Sequence, residues 1–251
     1  MWKLYDSLID AIPGEIRVAD FLCGNSWTMI RTDAGGIGLA TTAKAATRRP
    51  VLDSEIRGLP LRKVAAAAKS WNLLEASIGV AAINAYYNAA ERALRLGIAR
   101  PEWRHTDHEA FALFRDKVKG KKVASVGHFP PVVQLLDTCS NLSVLERNPQ
   151  PGDYPETASE YLLPEQDYVF ITGETLIYKT LPRLLTLSHN ARVILVGPVA
   201  PLAEELFNFG VDAICSFVVH DPHLCESIVK RGILSSIFAA GEKVSFSKKR
   251  D

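Results

Sequence analysis

The chain has 251 residues, 47% of them hydrophobic, and is long enough to bury the core of one large domain or of two smaller ones. Its 29 basic and 28 acidic side chains give a net charge of +1, which excludes a global field that would recruit nucleic acid or an anionic membrane. The four cysteines form no CxxC pair, so the sequence indicates neither a zinc site nor a disulfide framework.

The first part of the chain predicts a small α+β domain, residues 1–104. An amphipathic helix over 2–11 is closed by Pro13-Gly14, and two alternating segments, 15–21 and 26–32, predict strands joined by a hairpin turn at 23–25. Glycines at 35–38 introduce another short strand. Ala-rich segments from 61 to 96 then predict one short and one long helix, with Gly79 either tolerated or separating two pieces.

The second part, residues 105–251, alternates apolar runs with helical patterns. The runs lie at 122–127, 142–146, 167–172, 191–197 and 212–219, and the helical patterns at 132–139, 175–188, 201–209 and 222–231. Short apolar runs fit strands that are buried on both faces, and this alternation is typical of a parallel sheet with right-handed crossovers. The predicted fold class is therefore α/β, with a small α+β domain followed by a Rossmann-like domain. Ligands of such sheets bind at the carboxyl ends of the strands.

The loop after the first of these strands contains Gly127 and His128. A nicotinamide dinucleotide fold would place GxGxxG here, but the sequence has one glycine followed by Pro130-Pro131. Without the later glycines, close approach of the backbone to a pyrophosphate is not specified. The standard NAD fingerprint is therefore absent, and Gly127 and His128 are candidates for a different pocket.

The second strand ends at Glu146, 19 residues after Gly127, where an acid can hydrogen-bond a ribose or another polyhydroxylated group. Arg147 and Asn148 follow at once, so one loop offers an acceptor, a planar cation and an amide. Asp153 and Tyr154 lie in the next turn, and Glu156 and Glu160 lie four residues apart on one face of a short predicted helix, where their carboxylates could share a cation. Each residue also has a purely structural interpretation. Glu146 can form an ordinary ion pair at an exposed strand end, Asp153 can cap its turn, and Glu156 and Glu160 can be solvated.

The third strand turns through Thr172, Gly173 and Glu174 into a helix. Free main-chain amides and hydroxyls at a helix start can hold an anion or another polar ligand, although the threonines can also serve as caps alone. Further candidates are Lys179 and Thr180, one turn on, and Gly197 and Pro198, which repeat the strand-to-turn pattern after the fourth strand.

Metal-binding residue types occur together near 220–225 and at 105–109, where His105 and His108 lie in a polar connector and are expected at the surface. His220, His223 and Cys225 are weak candidates for ligands, because positions 223 and 225 point to different faces of a helix. Asp221-Pro222 reads as an N-cap followed by the first helical residue. All four cysteines, Cys23, Cys139, Cys215 and Cys225, are expected to be reduced and mostly buried.

Several of these segments together carry a family resemblance. They are VGHFP at 126–130, LERNP at 145–149, GDYP at 152–155, EYLLP at 160–164, ITG at 171–173, KT at 179–180 and GP at 197–198. Through these motifs, residues 105–240 resemble the heavy-metal chelation domain family, whose function is not known. The first part is similar to the enolase N-terminal-like domain usually found with it. The resemblance implies these two folds and a metal or metal-complex ligand.

Carboxylate, amide and hydroxyl groups at the matching positions suit a hard cation, a chelated metal carried by a small molecule, or an organic ligand. We therefore hold three hypotheses. The first is a protein that binds a small polar ligand or metal complex between the two domains. The second is an enzyme acting there on a nucleotide-, pterin- or adenosylmethionine-like molecule, with Lys179 or Glu174 transferring a proton. The third is a scaffold with a vestigial cleft.

The location and assembly of the protein follow from weaker patterns. The longest apolar stretch, 73–90, is interrupted by polar side chains, and the first ten residues carry acids, so we expect a cytoplasmic protein with no membrane segment. A homodimer formed through the Ala-rich helical face is expected from size and class alone. The cofactor stays open, with a metal ion or metal complex as the candidate.

Overall fold

The computed structural model describes residues 2–46, 48–98, 113–129 and 141–248. The predicted helix over 132–139 and the boundary between domains at 104/105 lie outside these ranges. The first unit contains an antiparallel sheet of three strands in the order β1 (Val18–Cys23), β2 (Trp27–Thr32) and β3 (Ile37–Thr41). The predicted hairpin is confirmed, because Gly24 N donates to Trp27 O at 2.8 Å.

Four helices accompany the small sheet: α1 (Lys3–Asp10), α2 (Leu61–Ala65), α3 (Leu73–Tyr87) and α4 (Ala90–Arg95). Gly79 lies inside α3, so it is tolerated within one helix and does not separate two pieces. A Cβ built on Gly79 would come within 2.0 Å of Ala68 N, so glycine permits the close packing of α3 on the 3-10 turn Ala66–Lys69. Asn72 is the N-cap of α3, and its side chain accepts from Glu75 N at 3.3 Å.

The second unit is built on a seven-stranded sheet. Its strands are β4 (Lys122–Val126), β5 (Asn141–Glu146), β6 (Tyr154–Pro155), β7 (Tyr168–Thr172), β8 (Arg192–Val196), β9 (Ala213–Val219) and β10 (Gly241–Ser247). The order is β10-β9-β8-β7-β4-β5-β6, and every neighbouring pair is parallel except β9 and β10. Counted from β4, this is the 3-2-1-4-5-6 order of doubly wound sheets with an antiparallel strand added at one edge. The predicted α/β class is confirmed.

The five predicted strands are observed, but the helices between them differ from the sequence pattern. Residues 175–188 form two helices, α6 (Thr175–Tyr178) and α7 (Leu181–Leu187), after α5 (Ser159–Leu162). The break lies at Lys179, whose φ of 64° is left-handed. Residues 201–209 contain the 3-10 helix Glu204–Phe209 rather than an α-helix. The last predicted helix, α8 (Pro222–Arg231), is confirmed with Asp221 as its N-cap, accepting from Leu224 N at 2.9 Å.

Helix α3 joins the two units, and 11 of its 15 residues are buried. Its residue Asn84 donates through Nδ2 to Leu39 O at 2.7 Å in the small sheet and to Val199 O at 2.9 Å after β8. Asn88, directly after the helix, donates to Ala200 O at 3.1 Å and accepts from Leu202 N at 2.8 Å. One hydrophobic cluster accordingly runs through both units.

The position of α3 corrects the expected route to a homodimer. A helix that is apolar all round belongs inside a core. Its alanines, Ala76, Ala81, Ala82 and Ala85, are at most 1% exposed, so the Ala-rich face is not a free surface. In the described ranges, none of the helices is long and apolar enough to span a bilayer.

Candidate functional site

The order in which successive strands are added to the large sheet reverses between β4 and β7. The chain leaves β4 toward β5 and β6 on one side and returns to β7 on the other. A crevice forms at the carboxyl ends of strands at such a switch point, and ligands of open α/β sheets bind there. A cavity of about 170 Å³ occupies this position. It is lined by Val126, Gly127, His128, Phe129, Leu145, Glu146, Arg147, Asn148, Glu156, Thr172, Glu174, Thr175, Tyr178 and Thr180.

Glu146, at the end of β5, is held by the main chain. Its Oε2 accepts from His128 N at 2.9 Å and its Oε1 accepts from Asn148 N at 3.1 Å. Both carboxylate oxygens are therefore fixed by donors of the surrounding loops, and each keeps acceptor capacity for a ligand. The sequence predicted an acid here that meets a polar ligand, and the structure places its side chain in the cavity wall.

His128 follows β4 and pairs with Asp153. Its Nδ1 lies 3.0 Å from Oδ1 and 2.9 Å from Oδ2 of Asp153, and the side chains are 18% and 4% exposed. Asp153 also accepts from Gln150 N at 2.9 Å. Gly127, with φ of 109°, makes the turn that carries His128 to the cavity, and its N donates to Leu145 O at 2.9 Å.

Arg147 lies between an acid and an aromatic ring. It donates to Glu156 through Nε at 3.0 Å and through a terminal nitrogen at 3.2 Å, and its guanidinium lies 3.5 Å from the centre of the Tyr178 ring. This double hydrogen bond and stacking fix the arginine at the cavity rim. Glu156 and Glu160 share no cation, because Glu160 pairs with Arg183 on the surface.

Glu174 is an acid in this cavity whose pKa is raised. Burial raises the pKa of its carboxyl, a hydrogen bond from Thr41 lowers it, and the negative charge of Glu146 raises it further. Thr41 is the last residue of β3, so the contact joins the small sheet to the end of β7. A carboxyl with a raised pKa can hold a proton at a pH where other acids have lost theirs.

Three threonines from the end of β7 onward complete the wall. Thr172 Oγ1 accepts from Glu174 N at 3.3 Å, and Thr175 Oγ1 donates to Thr172 O at 2.7 Å, so both serve the turn as caps. Thr180 differs, because its hydroxyl oxygen is buried and has no hydrogen-bond partner among the described residues. Its hydrogen-bonding capacity is therefore unused among these residues.

Some candidates from the sequence lie outside the cavity lining. Asp153 acts on it through His128, and Tyr154 is 46% exposed on β6. Gly173 permits close packing, because a Cβ there would come within 2.4 Å of Ala200 N. Gly197, with φ of 99°, and Pro198 shape the turn after β8.

Lys179 points away from the cavity. Its ammonium donates to Ser70 O and, at 2.8 Å, to Ile177 O, and it lies 5.6 Å from the centre of the Trp71 ring. Burial lowers its pKa to about 8. Through its hydrogen bond to Ser70 O, Lys179 connects the second unit to the first.

The weak metal candidates do not converge. His220 pairs with Glu242 at 3.3 Å, His223 is exposed, and Cys225 is buried with its sulfur 3.8 Å from that of Met29. Burial raises the pKa of Cys225 to about 12, which disfavours the thiolate that binds soft metals. Within the described part of the chain, no group of three or more His, Cys, Asp or Glu side chains could hold a metal ion.

Six wall residues were not among the ligand-site candidates from the sequence: Val126, Phe129, Leu145, Glu156, Thr175 and Tyr178. A pattern for one of them was present, because Tyr178 lies four residues after Glu174 and therefore on the same side of a helical turn. Glu156 was read as solvated, since its pairing with Arg147 depends on how the loop after β5 folds.

Comparison with known proteins agrees with this architecture. Residues 109–247 match the DUF364 family and residues 5–87 match the DUF4213 family, both described as "Putative heavy-metal chelation". The chain belongs to the DUF364 family, as the resemblance of its motifs predicted.

Its relatives are themselves of unknown function. An uncharacterised protein from Methanocaldococcus jannaschii is 35% identical over 187 residues, covering 70% of this chain and 67% of that protein. The crystal structure of a DUF364 protein from Desulfitobacterium hafniense is 44% identical, covers 99% of both chains and has a TM-score of 0.90. A DUF364 protein from Pyrococcus horikoshii, 22% identical over 98% of both chains with a TM-score of 0.78, shares the fold.

Proposed function

We propose that this protein binds a small ligand rich in hydrogen-bond donors in the cavity at the switch point of its large sheet. The ligand is either a polar organic molecule or a metal complex whose outer groups donate hydrogen bonds. The observation that carries the proposal is Glu146, whose carboxylate is fixed by two main-chain amides inside that cavity. A preorganised acceptor binds a donor without the loss of conformational entropy that ordering a mobile side chain would cost.

The charges of the wall favour the same kind of ligand. Arg147 forms its ion pair with Glu156, and its charge also acts on Glu146 and Glu174. Within the described ranges neither Glu146 nor Glu174 has an ion pair of its own. A cationic group or a pair of hydroxyls on the ligand satisfies such carboxyl groups. The hydroxyl of Thr180, buried without a partner in the described residues, adds one more polar contact.

A bare soft heavy-metal ion does not fit this wall. Soft metals prefer thiolate and thioether ligands, whereas the wall supplies carboxyl, hydroxyl and amide groups and one imidazole. Among the cysteines in the described ranges, Cys215 and Cys225 are buried as expected, whereas Cys23 at the end of β1 is exposed, contrary to the expectation. None of the three lines the cavity, and burial raises the pKa of Cys215 and Cys225. The heavy-metal description of the family is therefore compatible with this cavity through a metal complex rather than a naked ion.

Native mass spectrometry of protein purified without added metal or chelator tests the proposal, with elemental analysis of the same sample. We expect a retained mass that is lost in Glu146→Ala and kept in Glu160→Ala, which removes a surface acid paired with Arg183. A stoichiometric metal that survives Glu146→Ala and is lost in Cys225→Ser would contradict the proposal.

An enzyme acting in the same cavity is the second candidate, on a nucleotide-, pterin- or adenosylmethionine-like molecule. The specific observation in its favour is Glu174, because burial and the neighbouring Glu146 raise the pKa of its carboxyl beside a ligand-sized cavity. Lys179 does not take part in this second candidate, since its ammonium donates to Ser70 O.

A further inference from the structure

We propose that His128 and Asp153 form a proton-transfer dyad, in which Asp153 positions the imidazole and Nε2 of His128 accepts a proton from a hydroxyl or ammonium group of the bound ligand. The inference rests on the proposed ligand site, and adds an acid–base activity to it. It names His128 as the proton acceptor and Asp153 as a positioning residue.

The hydrogen bond between the two side chains fixes the tautomer of the ring. An ionised carboxylate accepts hydrogen bonds and cannot donate them, so Nδ1, at 2.9 and 3.0 Å from the oxygens of Asp153, carries the proton. In the neutral imidazole the lone pair then lies on Nε2. His128 lines the cavity, and in the described ranges Nε2 has no hydrogen-bond partner. The proposal assigns this lone pair to the ligand.

Both members of the dyad are held by the main chain. The Asp153 side chain is 4% exposed and accepts from Gln150 N at 2.9 Å, while His128 N donates to Glu146 at 2.9 Å. A surface ion pair would be mobile and worth little. Here a buried carboxylate instead orients an imidazole that lines a cavity, which is how proteins position a general base.

The proton balance is simple. The O–H or N–H bond of the ligand breaks, its electron pair stays on the ligand atom, and the proton forms an N–H bond at Nε2. Asp153 stabilises the resulting imidazolium. Glu174 lies at the end of β7, next to β4 in the sheet, and its carboxyl can return a proton to another atom of the ligand.

Nitrogen-15 NMR of the full-length, ligand-free protein labelled at histidine tests the dyad. We expect the neutral ring of His128 to carry its proton on Nδ1 in the wild type, to revert to the Nε2–H form of free histidine in Asp153→Ala, and to recover in Asp153→Glu. A neutral His128 ring protonated on Nε2 in the wild type would overturn the proposal. This outcome is read from the wild-type spectrum alone, so it does not depend on the folding of a variant.

Acylation by diethyl pyrocarbonate, followed residue by residue by mass spectrometry, provides a second readout. Asp153→Ala should slow the reaction of His128, because a carboxylate that accepts from one ring nitrogen raises the basicity of the imidazole and so the nucleophilicity of the other nitrogen. His189, exposed on the surface with Nδ1 at 3.1 Å from Thr186 O, is the matched control and should react at an unchanged rate. An unchanged rate at His128 would count against the dyad. Both measurements omit the ligand, so they can fail or succeed independently of the binding proposal.

Discussion

The carboxylate of Glu146 accepts a hydrogen bond from the main-chain N–H of His128 at 2.9 Å, so the loops that follow β5 and β4 are locked to each other. The same side chain accepts from Asn148 N, and it lines the cavity. One residue therefore shapes the crevice and presents an acceptor to its interior. Any change at Glu146 should affect both properties.

Replacing Glu146 by alanine should lower the free energy of unfolding by about 2 kcal/mol, because two main-chain donors lose a charged acceptor. It should also abolish retention of the ligand. Glu165→Ala is the control, since that exposed acid pairs with Lys122 on the surface and should change stability by less than about 1 kcal/mol. Urea unfolding of the three proteins measures the difference. Equal stability of wild type and Glu146→Ala would contradict this account of the loops.

The glycine after β7 should tolerate no side chain. In Gly173→Ala the new Cβ would meet Ala200 N at 2.4 Å and Val199 C at 2.5 Å, and overpacking of this kind typically costs about 1–3 kcal/mol. Gly14→Ala is the matched control, because nothing lies within 4 Å of its Cβ position. Thermal unfolding should show a lower midpoint for Gly173→Ala alone. Similar midpoints for both variants would mean that the turn between β7 and α6 can shift freely.

The architecture of the large sheet was readable from the sequence because its central strands are buried on both faces and form continuous apolar runs. The edge strand β10 was missed although Val244 and Phe246 alternate with polar residues, and β6 has two residues and no pattern to detect. The break between α6 and α7 was missed because the helical pattern continues through it. Lys179 ends α6 in a left-handed conformation, and its ammonium reaches Ser70 in the other unit, a contact that only the tertiary structure reveals.

The candidate site was predicted in outline, since strand ends of a parallel sheet meet at one edge. Which strand ends face a common cavity depends on the strand order, and the reversal between β4 and β7 selects the loops after β4, β5 and β7. Gly197 follows β8, one strand further along, and lies outside the lining. The pairing of His128 with Asp153 joins two turns that are separate in sequence, so spacing alone could not reveal it.

The stability of the protein should depend on pH through Glu174. Its pKa is raised in the folded state, so the folded protein binds the proton more tightly than the unfolded chain, and this stabilisation is lost as the pH rises through the folded pKa. The free energy of unfolding of Glu174→Gln should therefore increase relative to wild type as the pH is raised above 4.5, the ordinary value of a glutamate. Glu204→Gln, at an exposed position, should show no such trend. Parallel curves for wild type and Glu174→Gln would contradict the assignment.

Lys179 should produce the opposite dependence at alkaline pH. Burial lowers its pKa to about 8 from 10.5, so its contribution to stability is present above 10.5 and is lost as the pH falls through 8. Between these values the free energy of unfolding of wild type should rise by about 3 kcal/mol relative to Lys179→Met. Lys63→Met, on the exposed side of α2, is the control. A constant difference between wild type and Lys179→Met across this window would show that the amine is solvated.

The most direct test of the proposed ligand site is the threonine methyl NMR spectrum of the full-length protein, recorded with and without the small-molecule fraction of a cell extract. Thr172, Thr175 and Thr180 line the cavity, whereas Thr28 is buried against Thr42 in the small unit and Thr186 is exposed on α7. We predict that the three cavity methyl signals shift and that those of Thr28 and Thr186 stay in place, with no shifts in Glu146→Ala. Shifts confined to other threonines would contradict the claim that the cavity between the ends of β4, β5 and β7 is the ligand site.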